Sequence, residues 1–358
     1  MENKILELSK KLISVPSVKG ETKELNRVLE TAKKELKGHF YKEYESNEVP
    51  SIIFYNTKTL PKKFKLILDA HLDVVPGNSE QYKPKVVGDK LYGRGAYDMK
   101  AAGAAEILLY KDLAKKVDYP LGLQLVTDEE IGGFNGAKYQ FKKGIDADCI
   151  VVGECSSDFT VSVASKGVLW LKIDFTGVAS HAAYLWEGKN PIYEMNQFLN
   201  RLWKIYPIPT KKVWETTVNV SIVGTTNETG NKVPGDASVR LDARYIPGEG
   251  EKTLKKIKSL LPKNAKVEIL EFEPAMNTPE SDPYVQSFIK TSEIALGKKI
   301  EVVGKNGASD LRHYPKTAGI EFGPIGAGPH TDNEWVSIKS LNVYYKILES
   351  YVLSLNRK

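Results

Sequence analysis

The chain has 358 residues, 41% of them hydrophobic and 27% charged, and a formal net charge of +6. That is ordinary globular composition, with room for two domains at roughly 100–200 residues each. No basic run is interleaved with aromatics and no apolar run approaches ~18 residues, so neither a nucleic acid nor a membrane is an expected partner.

The first segment, Met1 to Lys11, is amphipathic and carries acids, which does not fit a secretory signal. Amphipathic helices are expected over 2–14 and 22–37, separated by Ser14-Val15-Pro16-Ser17 and Gly20. Apolar runs at Ser51–Tyr55 and Phe64–Ala70 read as strands, and a helical pattern runs from Asp98 to about Leu113. Strands at Leu121–Thr127 and Cys149–Gly153 complete an alternation of strand and helix, the signature of an α/β sheet.

The middle of the chain changes character. Strand Val168–Thr176, helix Pro191–Ile205, strands Thr217–Val223 and Ser238–Tyr245, helix Glu251–Leu261 and strand Lys266–Glu271 follow in order. That β-α-β-β-α-β order is the split βαβ, ferredoxin-like unit. The α/β pattern then resumes with a helix at Tyr284–Leu296, strands near Glu301–Val303 and Ile320–Phe322, and a final helix at Ile338–Leu355. The expected organisation is an α/β catalytic domain with a mixed sheet, residues 1–166 and 276–358. An inserted α+β domain, 167–275, interrupts it. The two cysteines, Cys149 and Cys155, form no disulfide framework in a chain of this length, so reduced thiols and a cytoplasmic setting are expected.

Acids and histidines collect where strands end. His71 and Asp73 follow the run Lys65–Ala70. Asp98 follows the Gly93-Arg94-Gly95-Ala96-Tyr97 turn and opens a helix. Glu129 and Glu130 follow Leu123–Thr127, and Glu154 follows Cys149–Gly153. In open α/β sheets the carboxyl ends of strands line the ligand crevice. Groups of this kind converging there would repel one another unless cations neutralised them. Imidazole and carboxylate donors without thiolate suit zinc, manganese or cobalt. In the His71-x-Asp73 pair, Asp73 is placed to take the other N–H of a metal-bound imidazole. The Glu129-Glu130 pair allows one carboxylate to bind metal while the other takes a proton from an activated water.

Five motifs then resemble one family. They are His71-Leu72-Asp73-Val74-Val75-Pro76, Gly93-Arg94-Gly95-Ala96-Tyr97-Asp98-Met99-Lys100, Thr127-Asp128-Glu129-Glu130, Gly153-Glu154 and Pro329-His330-Thr331-Asp332-Asn333-Glu334. Together they resemble the acetylornithine deacetylase, succinyl-diaminopimelate desuccinylase, aminoacylase and carboxypeptidase G family of two-zinc metallopeptidases. The resemblance implies two divalent ions, zinc with cobalt or manganese as alternatives. His71 and Glu154 would bind one, Glu130 and His330 the other, and Asp98 would bridge them. It implies Glu129 as general base, Asp73 as the residue tuning His71, and a cis peptide between Asp98 and Met99. It also makes the inserted domain a lid and dimerisation element, so that the chain is a homodimer. His181, in Ala179-Ser180-His181-Ala182-Ala183, would enter the partner's active site. Asn231, in Asn231-Lys232-Val233-Pro234, would be a substrate-binding residue of the lid, and Arg244 would hold a free carboxylate of the substrate, together with Ser309 in Gly307-Ala308-Ser309-Asp310. A guanidinium grips a carboxylate with two hydrogen bonds, which lysine cannot reproduce. Ala308 stands where the resembling desuccinylase loop has threonine, so one hydroxyl contact is missing. His39 and His313 match no motif and read as structural or surface residues. Cys155 has no His–Asp arrangement that would make it a nucleophile.

The expected activity is hydrolysis of the C–N amide bond of a small N-acyl amino acid or short peptide, by deacylation or by exopeptidase or dipeptidase cleavage. A catalytically inactive binding homologue is the rival from another class, and the complete ligand set with its base argues against it.

Overall fold

Strand Leu121–Val126 is buried at every position, and Phe64–His71 nearly so. Strands without a polar side belong in the middle of a sheet covered on both faces. The computed structural model, which describes residues 1–356, places them there. The chain forms two compact units, one of residues 1–163, 278–303 and 309–358, the other of residues 164–277 and 304–308. The second unit thus begins and ends a few residues outside 167–275 and also takes the short 304–308 segment, where Gly304 lies against the indole of Trp214.

In the first unit the strands lie side by side in the order 40–46, 49–55, 121–126, 64–71, 147–152, 318–321. The last four are mutually parallel, and the 40–46/49–55 hairpin is antiparallel, so the sheet is mixed. The register aligns His71 with Val126 and Asp69 with Val152. The strands that precede Glu129, His71 and Glu154 therefore end together. Helix Lys100–Leu113 is buried along most of its length and packs on the sheet through small residues. A Cβ on Gly103 would stand 3.2 Å from Ala70 Cβ and Leu72 Cδ2, so the close approach rests on the missing side chain. Strand Phe40–Ser46, mostly exposed and without apolar alternation, was not legible as a strand. Nor was a small sheet of 85–87, 90–92, 335–337 and 326–327. This sheet matters for the site, because Trp335 pairs with Tyr92 and so draws Glu334 against the Gly93 turn.

The second unit is a four-stranded antiparallel sheet in the order 217–224, 236–245, 167–176, 266–273. That is the ferredoxin-like arrangement expected from the element order. Leu169, Leu171, Ile173 and Phe175 alternate along the strand and pack with Phe198, Leu202 and Ile257 of the two helices Pro191–Ile205 and Gly250–Ser259. Asn190 caps the first helix by accepting from Ile192 N, with Pro191 in the first turn where no N–H is needed. Among the described residues no helix is long and apolar enough to cross a membrane.

Candidate metal centre

The aligned strand ends bring the first-unit ligand candidates into one cluster. Asp98 lies between two imidazoles, with Oδ1 3.2 Å from His71 Nε2 and Oδ2 3.3 Å from His330 Nε2. On the His71 side, Glu154 Oε1 is 3.7 Å from the same Nε2. On the His330 side, Glu130 Oε2 is 3.0 Å away. Donor atoms of His71, Glu129 and Glu154 lie within 4.8 Å of one another, as do those of His71, Asp98 and Glu130. The Asp98–Met99 peptide is cis, as the resemblance implies.

The surrounding hydrogen bonds fix this cluster. His71 Nδ1 sits 3.1 Å from the Asp73 carbonyl and 3.5 Å from its carboxylate, so Asp73 does face the second nitrogen of the ring. The Asp73 carboxylate also accepts from the N–H groups of Glu129 at 3.2 Å and Glu130 at 3.0 Å. One buried carboxylate thus orients the imidazole and both glutamates. The turn after them needs Gly132 and Gly133, whose φ angles are +114° and +64°. Arg312 Nη2 and His313 Nε2 both donate to the Gly132 carbonyl, at 2.6 and 2.9 Å. Burial pushes the His313 imidazole down to about 3, so it donates as a neutral ring.

Glu334 anchors the other side of the site, a role its motif position did not announce. Its Oε2 accepts from Arg94 Nη1 at 2.9 Å and Gly95 N at 3.0 Å, and its Oε1 from Tyr97 N at 2.9 Å and Asp98 N at 3.0 Å. The Gly-rich turn is thereby wrapped around a buried carboxylate, and Asp98 is presented by its own backbone. The signals available in the sequence were an arginine inside that turn and an acid immediately before strand Trp335–Ser337.

The electrostatics match a cation site. Burial raises Glu129 well above the usual carboxylate range, with His71 only partly opposing. Burial also raises Glu130, against its hydrogen bond from His330. Burial works against ionised Asp98, but the hydrogen bonds from His330 and His71 hold it below the usual range. His330 is pushed up to about 10 by its bonds to Asp98 and Glu130. Carboxylates and imidazoles sharing a few ångströms are the oxygen and nitrogen donor set that a borderline divalent ion takes, and the carboxylate between two histidines gives it two positions.

A family model for peptidase family M20/M25/M40 matches residues 67–354, a span that contains every residue of this cluster. The chain belongs to that family. This M20 chain is accordingly a metallohydrolase acting on amide bonds. Among its relatives, succinyl-diaminopimelate desuccinylase of Pelagibacter ubique is 28% identical over 96% of this chain and 98% of that one. A probable carboxypeptidase of Paracoccidioides lutzii is 31% identical over 55% of this chain and 49% of its own length. The fold matches aminopeptidase PepT of Bacillus cereus with a TM-score of 0.81 at 18% identity, over 98% of each chain. It also matches a dinuclear metal-binding peptidase of Bacillus subtilis with a TM-score of 0.72 at 15% identity, over 99% of this chain and 98% of that one.

The residues expected to meet substrate are placed less uniformly. His181 is exposed in the second unit, where its Nδ1 accepts from Ala183 N at 3.1 Å and its ring packs on Tyr184. Asn231 lies in the same loop cluster, its carbonyl accepting from Ala182 N at 2.9 Å. Arg244 makes a fork-to-fork pair with Asp242, at 2.8 and 3.1 Å, beside a groove of about 330 Å³ lined by Trp203, Ile208 and Asn219. Ser309 is 1% exposed and its hydroxyl donates to buried Glu321.

Proposed function

We propose that this chain hydrolyses the amide bond of a small N-acyl amino acid or short peptide bearing a free carboxylate. The observation that carries the reading is Asp98, whose two carboxylate oxygens face His71 and His330 separately. His71 and Glu154 would hold one divalent ion, Glu130 and His330 the other, and Asp98 both; the ions are zinc in our reading. When bound, they supply Lewis acidity for the scissile carbonyl and make water easier to deprotonate. Glu129 takes the proton of the attacking water at its carboxylate. The water oxygen bonds to the carbonyl carbon, the C–N bond breaks, and the same proton passes to the leaving nitrogen. Asp73 holds Glu129 in place through the peptide N–H and keeps the imidazole of His71 oriented. Arg244 exchanges Asp242 for the substrate carboxylate, and Asn231 is a further substrate contact from the second unit.

In this reading the second unit is the lid and the dimer contact, the protein works in the cytoplasm as a homodimer, and His181 donates to the oxyanion in the partner's site. Ala308, which lacks the hydroxyl of the desuccinylase loop, favours exopeptidase or dipeptidase action as the second reading. A hydrolysis screen of zinc-loaded protein against N-acetyl, N-succinyl and dipeptide substrates, with detection of the freed amine, separates the two. Inactivity towards all three classes would overturn both. Mixing inactive Glu129→Gln and His181→Ala proteins tests the dimer. Recovered activity means that His181 acts across subunits, and no recovery after confirmed subunit exchange means that it does not.

A further inference from the structure

Arg312 and His313 lie in the short helical turn Asp310–His313, 180 and 181 residues from the Gly132 carbonyl that both of them reach. Both side chains are buried. A carbonyl oxygen only accepts, so His313 Nε2 carries its hydrogen, and the two donors use both lone pairs of one oxygen. That oxygen belongs to the turn that carries Glu129. The turn closes on itself through backbone bonds: Ile131 and Gly133 donate to the Asp128 carbonyl at 3.2 and 2.7 Å, and Gly132 donates to the Glu129 carbonyl at 2.8 Å. At its start, Asp73 accepts from the N–H groups of Glu129 and Glu130. At its end, Arg312 and His313 hold the Gly132 peptide. The seating is close: a Cβ on Gly133 would stand 1.8 Å from Asp310 Oδ1 and 3.1 Å from His313 Nε2, so only glycine fits there.

We propose that Arg312 and His313 are positioning residues for the hydrolysis: by fixing the Gly132 carbonyl they set where the Glu129 carboxylate stands relative to the attacking water. The proposal rests on the reading of Glu129 as the general base. A base takes a proton only from a group within about 3 Å, and a misplacement of ~1 Å can cost about 10²-fold in rate. Gly132 is three residues beyond Glu129, so a rotation of its peptide passes directly into the backbone that carries the carboxylate. Burial pushes the His313 imidazole down to about 3, so the ring is neutral near pH 7 and its hydrogen bond does not titrate there. Tyr314, the next residue, offers a control. Its hydroxyl is also buried but donates to Gln124 Oε1 at 2.9 Å and to the Ala137 carbonyl at 3.4 Å, and not to the turn.

The test compares His313→Met with His313→Gln, side chains of similar size of which only glutamine can donate. Steady-state kcat and KM are measured on zinc-loaded protein with the best substrate of the hydrolysis screen, and kcat is referred to the measured zinc content. Amide hydrogen exchange over Glu129–Gly133 is followed in metal-free protein. His313→Met should lower kcat about 10–100-fold with KM unchanged within about twofold, and should speed exchange at Ile131, Gly132 and Gly133 about tenfold. His313→Gln should recover most of the lost kcat and protection. Tyr314→Phe should keep both at wild-type values even where its urea midpoint falls as far. The proposal is overturned if His313→Met keeps more than about half of the wild-type kcat, if His313→Gln is as slow as His313→Met, or if Tyr314→Phe loses as much. Should His313→Met not fold, Arg312→Met is judged by the same criteria. A wild type that hydrolyses nothing in the screen would sink the hydrolytic reading, and exchange would then decide alone: faster exchange in His313→Met supports the clamp on the turn, and unchanged exchange overturns it.

Discussion

Replacing Glu334 with alanine removes the acceptor around which the Gly93–Asp98 turn is built. The side chains of Glu334 and Arg94 are 1% and 4% exposed, so the ion pair is out of contact with bulk water. Breaking such a pair by deleting one partner leaves an uncompensated buried charge, at about 3–5 kcal/mol. The N–H groups of Gly95, Tyr97 and Asp98 lose their acceptor in the same step. Each buried unsatisfied donor costs about 1–3 kcal/mol, but water entering the space left by the side chain offsets part of this. The expected loss for Glu334→Ala is therefore at least about 3–5 kcal/mol. Glu334→Gln keeps the volume and one carbonyl oxygen, but its amide would face two donors, so it should fall between wild type and alanine. Equilibrium urea unfolding of metal-free protein measures both. Because Asp98 N is one of the anchored donors, metal affinity should fall alongside stability. A loss below about 1 kcal/mol for Glu334→Ala would show that the turn holds its shape without the carboxylate, and the account of how Asp98 is presented would be wrong.

Glu129→Gln should retain its metal content and lose turnover by about 10²–10⁴-fold, since glutamine cannot accept the proton; more than a tenth of wild-type activity would remove Glu129 from the role of base. In metal-free protein His330 is raised from 6.5 to about 10 by Asp98 and Glu130. A raised folded value means that its stabilisation is fully present below pH 6.5 and is lost as the pH rises through about 10. Comparison of urea midpoints across that range should show a decline in the wild type that is reduced in His330→Ala, and parallel profiles would refute the pairing. Gly133→Ala would place a Cβ 1.8 Å from Asp310 Oδ1 at a φ of +64°, so the Glu129 turn should shift, with a stability loss above about 1 kcal/mol by urea unfolding and a fall in kcat.

Much of this protein is legible in local sequence because periodicity reports which faces leave water. The apolar runs of Phe64–His71 and Leu121–Val126, the alternation of Leu169, Leu171, Ile173 and Phe175, and the Asn190-Pro191 helix start each lie within a few neighbouring residues. The donor types at the strand ends are equally local, and their chemistry alone indicates a cation site. Strand Phe40–Ser46 was hidden because it is an exposed edge whose stability comes from pairing with Val49–Tyr55 rather than from an apolar face. Which donors meet is decided by strand order and register. The three parallel strands set His71, Glu129 and Glu154 together, while Asp98 reaches His330 only through the pairing of Tyr92 with Trp335. The partners of Arg244 and Ser309 show the same limit in reverse. Their motifs did not reveal that Asp242 pairs with the guanidinium or that Glu321 accepts from the buried hydroxyl. A hydrogen bond depends on the position and direction of a single partner atom within about 3 Å. Residue type and spacing along the chain carry that information only after the tertiary fold has brought the two atoms together.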